Sequence, residues 1–206
     1  MKRVFQIPQG LEVAISAELK KLQVDFSQSK LIADHVLRLS DFYIGNPSKP
    51  TPWHEKWTQI AYFAYYLPLN FLRDEAIHQE LNRFSFYQGL DHAWDFGSGL
   101  GSGSLSLWAG SQIRSFDFIE RSSVAQDLHQ GLLKHFGKHH KSSHKTDWDN
   151  SVSQEQMTSG LGIFSYALTE LSLVPKWATD LEALFIVEPS TQSDGRSLLQ
   201  IRVELL

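Results

Sequence analysis

The chain has 206 residues, 42% hydrophobic and 20% charged, with a net charge of -4 and no cysteine. That length and apolar content suit one large domain, or one domain with a modest appendage, and exclude a disordered chain. The charge offers nucleic acid no global attraction; the missing cysteines exclude disulfides and cysteine-held metal or iron–sulfur centres, as befits a reducing cytoplasm.

The first residues, Met1 to Pro8, include two basic side chains but no long apolar run, so they do not read as a secretory signal. Nothing approaches the roughly 20 apolar residues of a membrane span, and a soluble, cytoplasmic protein is expected. Leu11, Ile15, Leu19, Leu22 and Phe26 recur at spacings of three and four and predict an amphipathic helix over residues 11–26. Ser27 or Ser29 can cap a second helix, whose stripe is Ile32, Val36, Leu39 and Tyr43. Three prolines within residues 47–52 then break the pattern. The division expected from this is an N-terminal helical region, 1–46, and an α/β domain with two leading helices, 53–206. The first of those helices, about 53–67, is rich in aromatics and is ended or kinked by Pro68. The next reaches about residue 84 on a stripe of Ile77, Leu81 and Phe84. The aromatics read first as a packing surface and second as a stacking platform for bases.

From His92 the texture alternates. Strands are predicted at 93–96, 115–120, 145–148 (a weak one), 162–166 and 183–188. Helices are predicted at 102–110, over Val124, Leu128, Leu132 and Phe136, and from about Gly195. Strands separated by helices imply an α/β fold, a Rossmann-like parallel sheet with right-handed crossovers. In such a sheet a ligand lies at the carboxyl ends of the strands. Strand one runs into Asp95-Phe96-Gly97-Ser98-Gly99-Leu100-Gly101, a side-chain-poor turn that opens a helix. A dinucleotide fingerprint needs a further glycine where Ser102 stands, so that pattern is broken. Asp-x-Gly-x-Gly-x-Gly is complete, and it is the first-motif pattern of class I S-adenosyl-L-methionine-dependent methyltransferases.

The other strand ends supply the remaining candidates. Glu120, followed by Arg121, ends strand two 19 residues beyond Gly101, where a carboxylate can accept both ribose hydroxyls. Asp147 and Trp148 end the weak third strand and could hold an adenine amino group and cover its ring. Ser165 and Tyr166 end the fourth and face the methionine side or the acceptor. No catalytic residue is assigned: the chain lacks the cysteine nucleophile of pyrimidine methylation and the Asn/Asp-Pro-Pro-aromatic signature of base amino methylation. Glu170 could serve as a base, although a structural pairing is the plainer reading. Lys134, Lys138, Lys141 and Lys145 alternate with His135, His139, His140 and His144. The first reading of that stretch is a solvated helix end and loop, the second an RNA contact, the third a metal site.

Five blocks together resemble the methyltransferase-like assembly factors of the mitochondrial small ribosomal subunit and their bacterial relatives. They are residues 61–68, 94–101, 119–122, Ser165-Tyr166-Ala167-Leu168-Thr169-Glu170-Leu171, and Ile186-Val187-Glu188-Pro189-Ser190-Thr191 with Gly195 beyond. The resemblance covers about residues 60–206. It implies a class I methyltransferase domain behind a helical region, S-adenosyl-L-methionine as cofactor, and a role on small ribosomal subunit RNA or in ribosome assembly and translation. Tyr66 stands where the family usually has arginine, and Gly162 where an aspartate commonly begins strand four. The family's cysteine-containing, cluster-binding segment has no counterpart. Five strands are counted where a class I sheet has seven, so the C-terminal strands are expected to be missing. The rival expectations are a non-catalytic assembly or RNA-binding factor, a small-molecule methyltransferase, and, weakly, a nicotinamide-dependent oxidoreductase.

Overall fold

A computed structural model describes residues 6–47, 49–136, 141–146, 160–168 and 176–205. Helices α1 (Gln9–Lys21), α2 (Ser29–Gly45), α3 (Lys56–Ala61) and α4 (Leu67–Arg83) lead into β1 (His92–Phe96), α5 (Ser102–Gly110), β2 (Ser115–Ile119) and α6 (Ser123–Phe136). Then follow β3 (Lys141–Lys145), β4 (Gly160–Ser165), a 3-10 turn (Lys176–Asp180), β5 (Ala183–Val187) and α7 (Gln192–Leu205). The five strands are parallel, in the order β3-β2-β1-β4-β5. Helices flank this sheet, so the α/β class read from the alternation is the one observed. The order is that of a doubly wound, Rossmann-like sheet, which reverses direction beside β1.

Both faces of the sheet are covered, as parallel sheets require. Phe116, Phe118, Leu161, Ile163 and Phe185 face α5 and pack with Leu107, Trp108, Tyr87 and Leu90. On the other face Trp94, Phe96, Ile119 and Phe164 pack with Leu181, Leu184 and Ile201. The N-terminal helices join the first side. Leu11, Ala14, Ile15 and Leu19 of α1 share one cluster with Ile60, Phe63, Phe71 and Leu132. Among the described residues no helix is long and apolar enough to cross a membrane.

Several local expectations shift for identifiable reasons. Helix α1 stops five residues before Phe26 because Gln23 takes φ 59°. Gln23 N–H then donates to Lys20 C=O and Val24 N–H to Leu19 C=O, a Schellman turn that leaves Phe26 half exposed. Pro68 does not end its helix. A π-turn over Tyr62–Tyr66 precedes it, and the widened turn absorbs a residue that cannot donate into the ladder. Of the expected α4 stripe, Leu81 packs against the core, whereas Ile77 and Phe84 face outward, Phe84 75% exposed; the inward line is Leu67, Phe71, Asp74, His78 and Leu81. Strand β3 lies at 141–145, earlier than expected, because it has no apolar alternation to read; it is a polar edge strand.

That edge is held by charge. Lys145 Nζ donates to Asp117 Oδ2 at 2.8 Å, Ser143 Oγ donates to Oδ1, and His92 Nε2 lies 3.5 Å from Oδ2. Burial by itself would raise the Asp117 carboxyl, but those three partners outweigh it and hold it well below the usual carboxylate range. A depressed carboxyl stabilises the fold above its unfolded value and loses that contribution as pH falls through the folded one. Asp117→Asn should therefore cost about 2 kcal/mol at neutral pH. The gap to the wild type should close progressively as denaturant unfolding is repeated below about pH 4; a pH-independent gap would contradict this.

Candidate functional site

The turn after β1 is built from backbone. Gly97 and Ser98 N–H both donate to Ile119 C=O, at 2.8 and 3.2 Å, which ties the loop to the end of β2. Gly101 N–H closes on Ser98 C=O at 2.6 Å, and Leu105 N–H begins α5 on Gly101 C=O. Gly97, Gly99 and Gly101 have φ of 66°, 52° and 75°, the left-handed region that other residues enter only with strain. Two of these glycines, and Gly103 in the first turn of α5, are closely approached by the protein's own side chains. A Cβ on Gly99 would meet Trp53 at 3.2 Å, one on Gly101 would meet His129 Nε2 at 2.6 Å, and one on Gly103 would meet Ile163 at 2.9 Å.

Glu120 completes this loop from the end of β2. Its Oε2 accepts Gly99 N–H at 2.9 Å and its Oε1 accepts Ser122 N–H at 2.8 Å. Burial raises the carboxyl above its ordinary range, opposed by the N–H groups of Ser122, Gly99 and Arg121. Each oxygen keeps a further lone pair for a ligand hydroxyl. Between loop and strand ends lies a cleft of about 500 Å³, a volume usual for small-ligand sites. Gly97, Ser98, Gly99, Leu100 and Ser102 line one wall, with Glu120, Arg121 and Ser122 beside them and Ser165 and Tyr166 at the end of β4. The cover comes from the N-terminal part: Pro50, Thr51, Trp53, His54 and Tyr62, with Leu67 and Asn70 of α4. Trp53 and Tyr62 pack ring on ring, 4.3 Å between centroids.

Of the sequence candidates, the structure gathers Gly97, Ser98, Gly99, Glu120, Arg121, Ser165 and Tyr166 around one cleft. Asp95 and Gly101 lie behind its wall. Asp95 is buried on the α5 side of the sheet, where its carboxylate accepts Ser104 Oγ–H at 2.6 Å. Burial pushes it up to about 7 against that bond. Gly101 sits on His129, which is fully buried and held neutral because burial lowers it to about 3, with His144 adding to the shift. Asp147, Trp148 and Glu170 lie outside the described residues, as do Lys138, His139 and His140. His144 Nε2 turns inward to within 3.3 Å of His129 Nδ1, and Lys145 is spent on Asp117. Among the described residues no group of three or more ligating side chains could hold a metal.

Sequence reasoning missed the polar floor under the cleft. Asp74 and His78 occupy core-facing positions of α4, and both are buried. His78 bonds Tyr87 Oη at 2.5 Å and Gly103 C=O at 3.3 Å, and burial lowers it to about 4, so the neutral ring accepts from the phenol and donates to the carbonyl. Asp74 accepts Ser165 Oγ–H at 2.8 Å. The available signal was spacing: Leu67, Phe71, Asp74 and His78 lie on one helical face.

Gly101→Ala should cost about 2–4 kcal/mol, from a left-handed alanine and its collision with His129. In a His129→Ala background the same change should cost only about 1 kcal/mol, the backbone part alone. Chemical denaturation of the double-mutant cycle measures both, and equal costs in the two backgrounds would refute the contact.

No family model matches this chain, and no curated protein matches it. Among solved structures, the one described as a "putative RNA methyltransferase" from Pyrococcus horikoshii superimposes with a TM-score of 0.48 and 14% identity, over 65% of this chain and 67% of that one. A likeness at that level assigns no activity. The strand order of the sheet itself places the chain among Rossmann-like α/β proteins.

Proposed function

We propose that this chain binds S-adenosyl-L-methionine and transfers its methyl group to an acceptor admitted under the Trp53–Tyr62 cover. One observation carries the reading: a bare-backbone turn and a partly buried carboxylate, Glu120, meet on one wall of the cleft at the sheet's switch point. The nucleoside's ribose hydroxyls fall to Glu120, and the chain's backbone along 97–100 receives the rest of the ligand. Ser165 and Tyr166 face the reacting end, and Asp147 and Trp148 remain the candidates for adenine. Bound there, the sulfonium supplies an electrophilic methyl carbon, and the protein's part is to align the acceptor and receive its proton.

The cover favours an acceptor of small cross-section: a free metabolite, or one nucleotide swung out of a longer chain. A second reading, action on small ribosomal subunit RNA or in subunit assembly without turnover, draws support from the blocks at 165–171 and 186–191. It makes the same cleft a binding module.

Isothermal titration of the intact protein with S-adenosyl-L-methionine should show saturable binding. Glu120→Gln should weaken that binding about tenfold, equivalent to about 1.4 kcal/mol; an unmeasurable wild-type interaction would overturn the proposal. Tritiated methyl transfer to free nucleosides and to small-subunit RNA then separates the readings. Incorporation into either acceptor supports turnover, whereas cofactor binding with no incorporation favours the non-catalytic factor.

A further inference from the structure

Ser165 opens on the cleft, and the side chain behind it has no evident structural reason to be ionisable. Asp74 is 0% exposed, carried on α4 in a position where an apolar residue would pack. Its Oδ2 accepts the Ser165 hydroxyl proton at 2.8 Å, while Oδ1 is buried with no hydrogen-bond partner among the described residues. Each packed element presents something to this carboxyl: Ser165 from β4, Asp95 from β1, Ser102 from α5 and Arg73 from α4 itself. Tyr87 and Tyr166 lie within its field, and Arg73 opposes the rise that burial imposes on the Tyr166 phenol. Burial pushes Asp74 up to about 7, with the Ser165 bond opposing and the Asp95 charge adding to the rise. The other carboxyls near the cleft are committed. Glu120 holds the glycine loop, Glu188 accepts Leu168 N–H, and Asp95 is turned to Ser104.

We infer that Ser165 and Asp74 form the proton-accepting pair of the cleft, serving an acceptor that carries an O–H or N–H group. This rests on the methyl-transfer reading above and adds the acceptor class. The acceptor's O–H or N–H donates to Ser165 Oγ, whose own proton already points to Asp74. As an acceptor lone pair forms the bond to the methyl carbon, the carbon–sulfur bond breaks and its electrons stay on sulfur. The acceptor's proton passes to Ser165 Oγ, and the Ser165 proton passes to Asp74 Oδ2. Charge balances: the cation becomes a neutral thioether and the carboxylate a neutral acid. Asp74 is competent only when ionised, so turnover rises with pH through about 7.

The test uses the full chain and two variants, Asp74→Asn and Ser165→Ala. Binding of S-adenosylhomocysteine by Asp74→Asn should stay within about threefold of wild type, and circular dichroism with a cooperative thermal melt should show that both variants fold. In carboxyl-labelled aspartate NMR, two resonances should titrate near pH 7, those of Asp74 and Asp95, and one of them should vanish in Asp74→Asn and shift in Ser165→Ala. With free nucleosides or small-subunit RNA as acceptor, either variant should lower kcat about 100-fold and lose the pH dependence. An Asp74 that titrates in the ordinary carboxylate range overturns the pair, as does turnover kept within about threefold. No transfer by the wild type to either acceptor also overturns it while leaving cofactor binding intact. Failure of the wild type to bind either S-adenosylmethionine or S-adenosylhomocysteine removes the functional reading, and the pair's role falls with it.

Discussion

Close approach to glycine is the constraint on which the site depends. At positions 99, 101 and 103 the missing Cβ lets three elements converge: the Trp53 segment, α6 through His129, and β4 through Ile163 and Ser165. A side chain at any of the three would have to displace an indole, an imidazole or a strand. The loop is thus clamped from behind and from above before any ligand enters, and its backbone is fixed by protein packing and by the hydrogen bonds of Gly97, Ser98 and Gly101. Glu120 adds the last restraint by accepting Gly99 N–H. A preorganised loop spares a ligand the ordering cost that a flexible one would impose.

Behind the loop, several buried polar groups of the core are paired across elements. Asp95 with Ser104, His78 with Tyr87 and the Gly103 carbonyl, and Asp74 with Ser165 join α4 and α5 to the sheet through hydrogen bonds as well as apolar contact. Two buried carboxyls in one region repel if both ionise, and burial disfavours charge on each. This costs stability that an apolar core would keep. Such an arrangement is what acid–base chemistry at neutral pH uses, which is why the one carboxyl that reaches the cleft through a hydroxyl stands apart.

The N-terminal helices do more than extend the sheet's cover. Through α1 on α6, α4 on α5, and Trp53 on Gly99, they form a wall of the cleft. Under the proposed methyl transfer, the choice between a small acceptor and a long nucleic acid chain falls to this wall, to Trp53 and Tyr62, rather than to the glycine loop that first attracts notice.

Periodicity alone sufficed for the parallel α/β sheet, because apolar strands separated by amphipathic helices have few other ways to bury both faces. It also sufficed for the strand-end positions of the glycine loop, Glu120 and Ser165, since in this sheet the carboxyl ends share one side. It placed β3 too late in the chain, because that strand's side chains are polar and find Asp117 and His129 only across space. It was only partly right on α4, where Leu81 packs inward but Ile77 and Phe84 face solvent, and two further inward positions are Asp74 and His78. Only the tertiary structure decided that Gly99 and Gly101 are occupied by Trp53 and His129, that Asp95 lies behind the wall of the cleft, and that Asp74 meets Ser165. Each of those is a contact between residues distant in the chain, where partner and burial, rather than local pattern, set what a side chain can do.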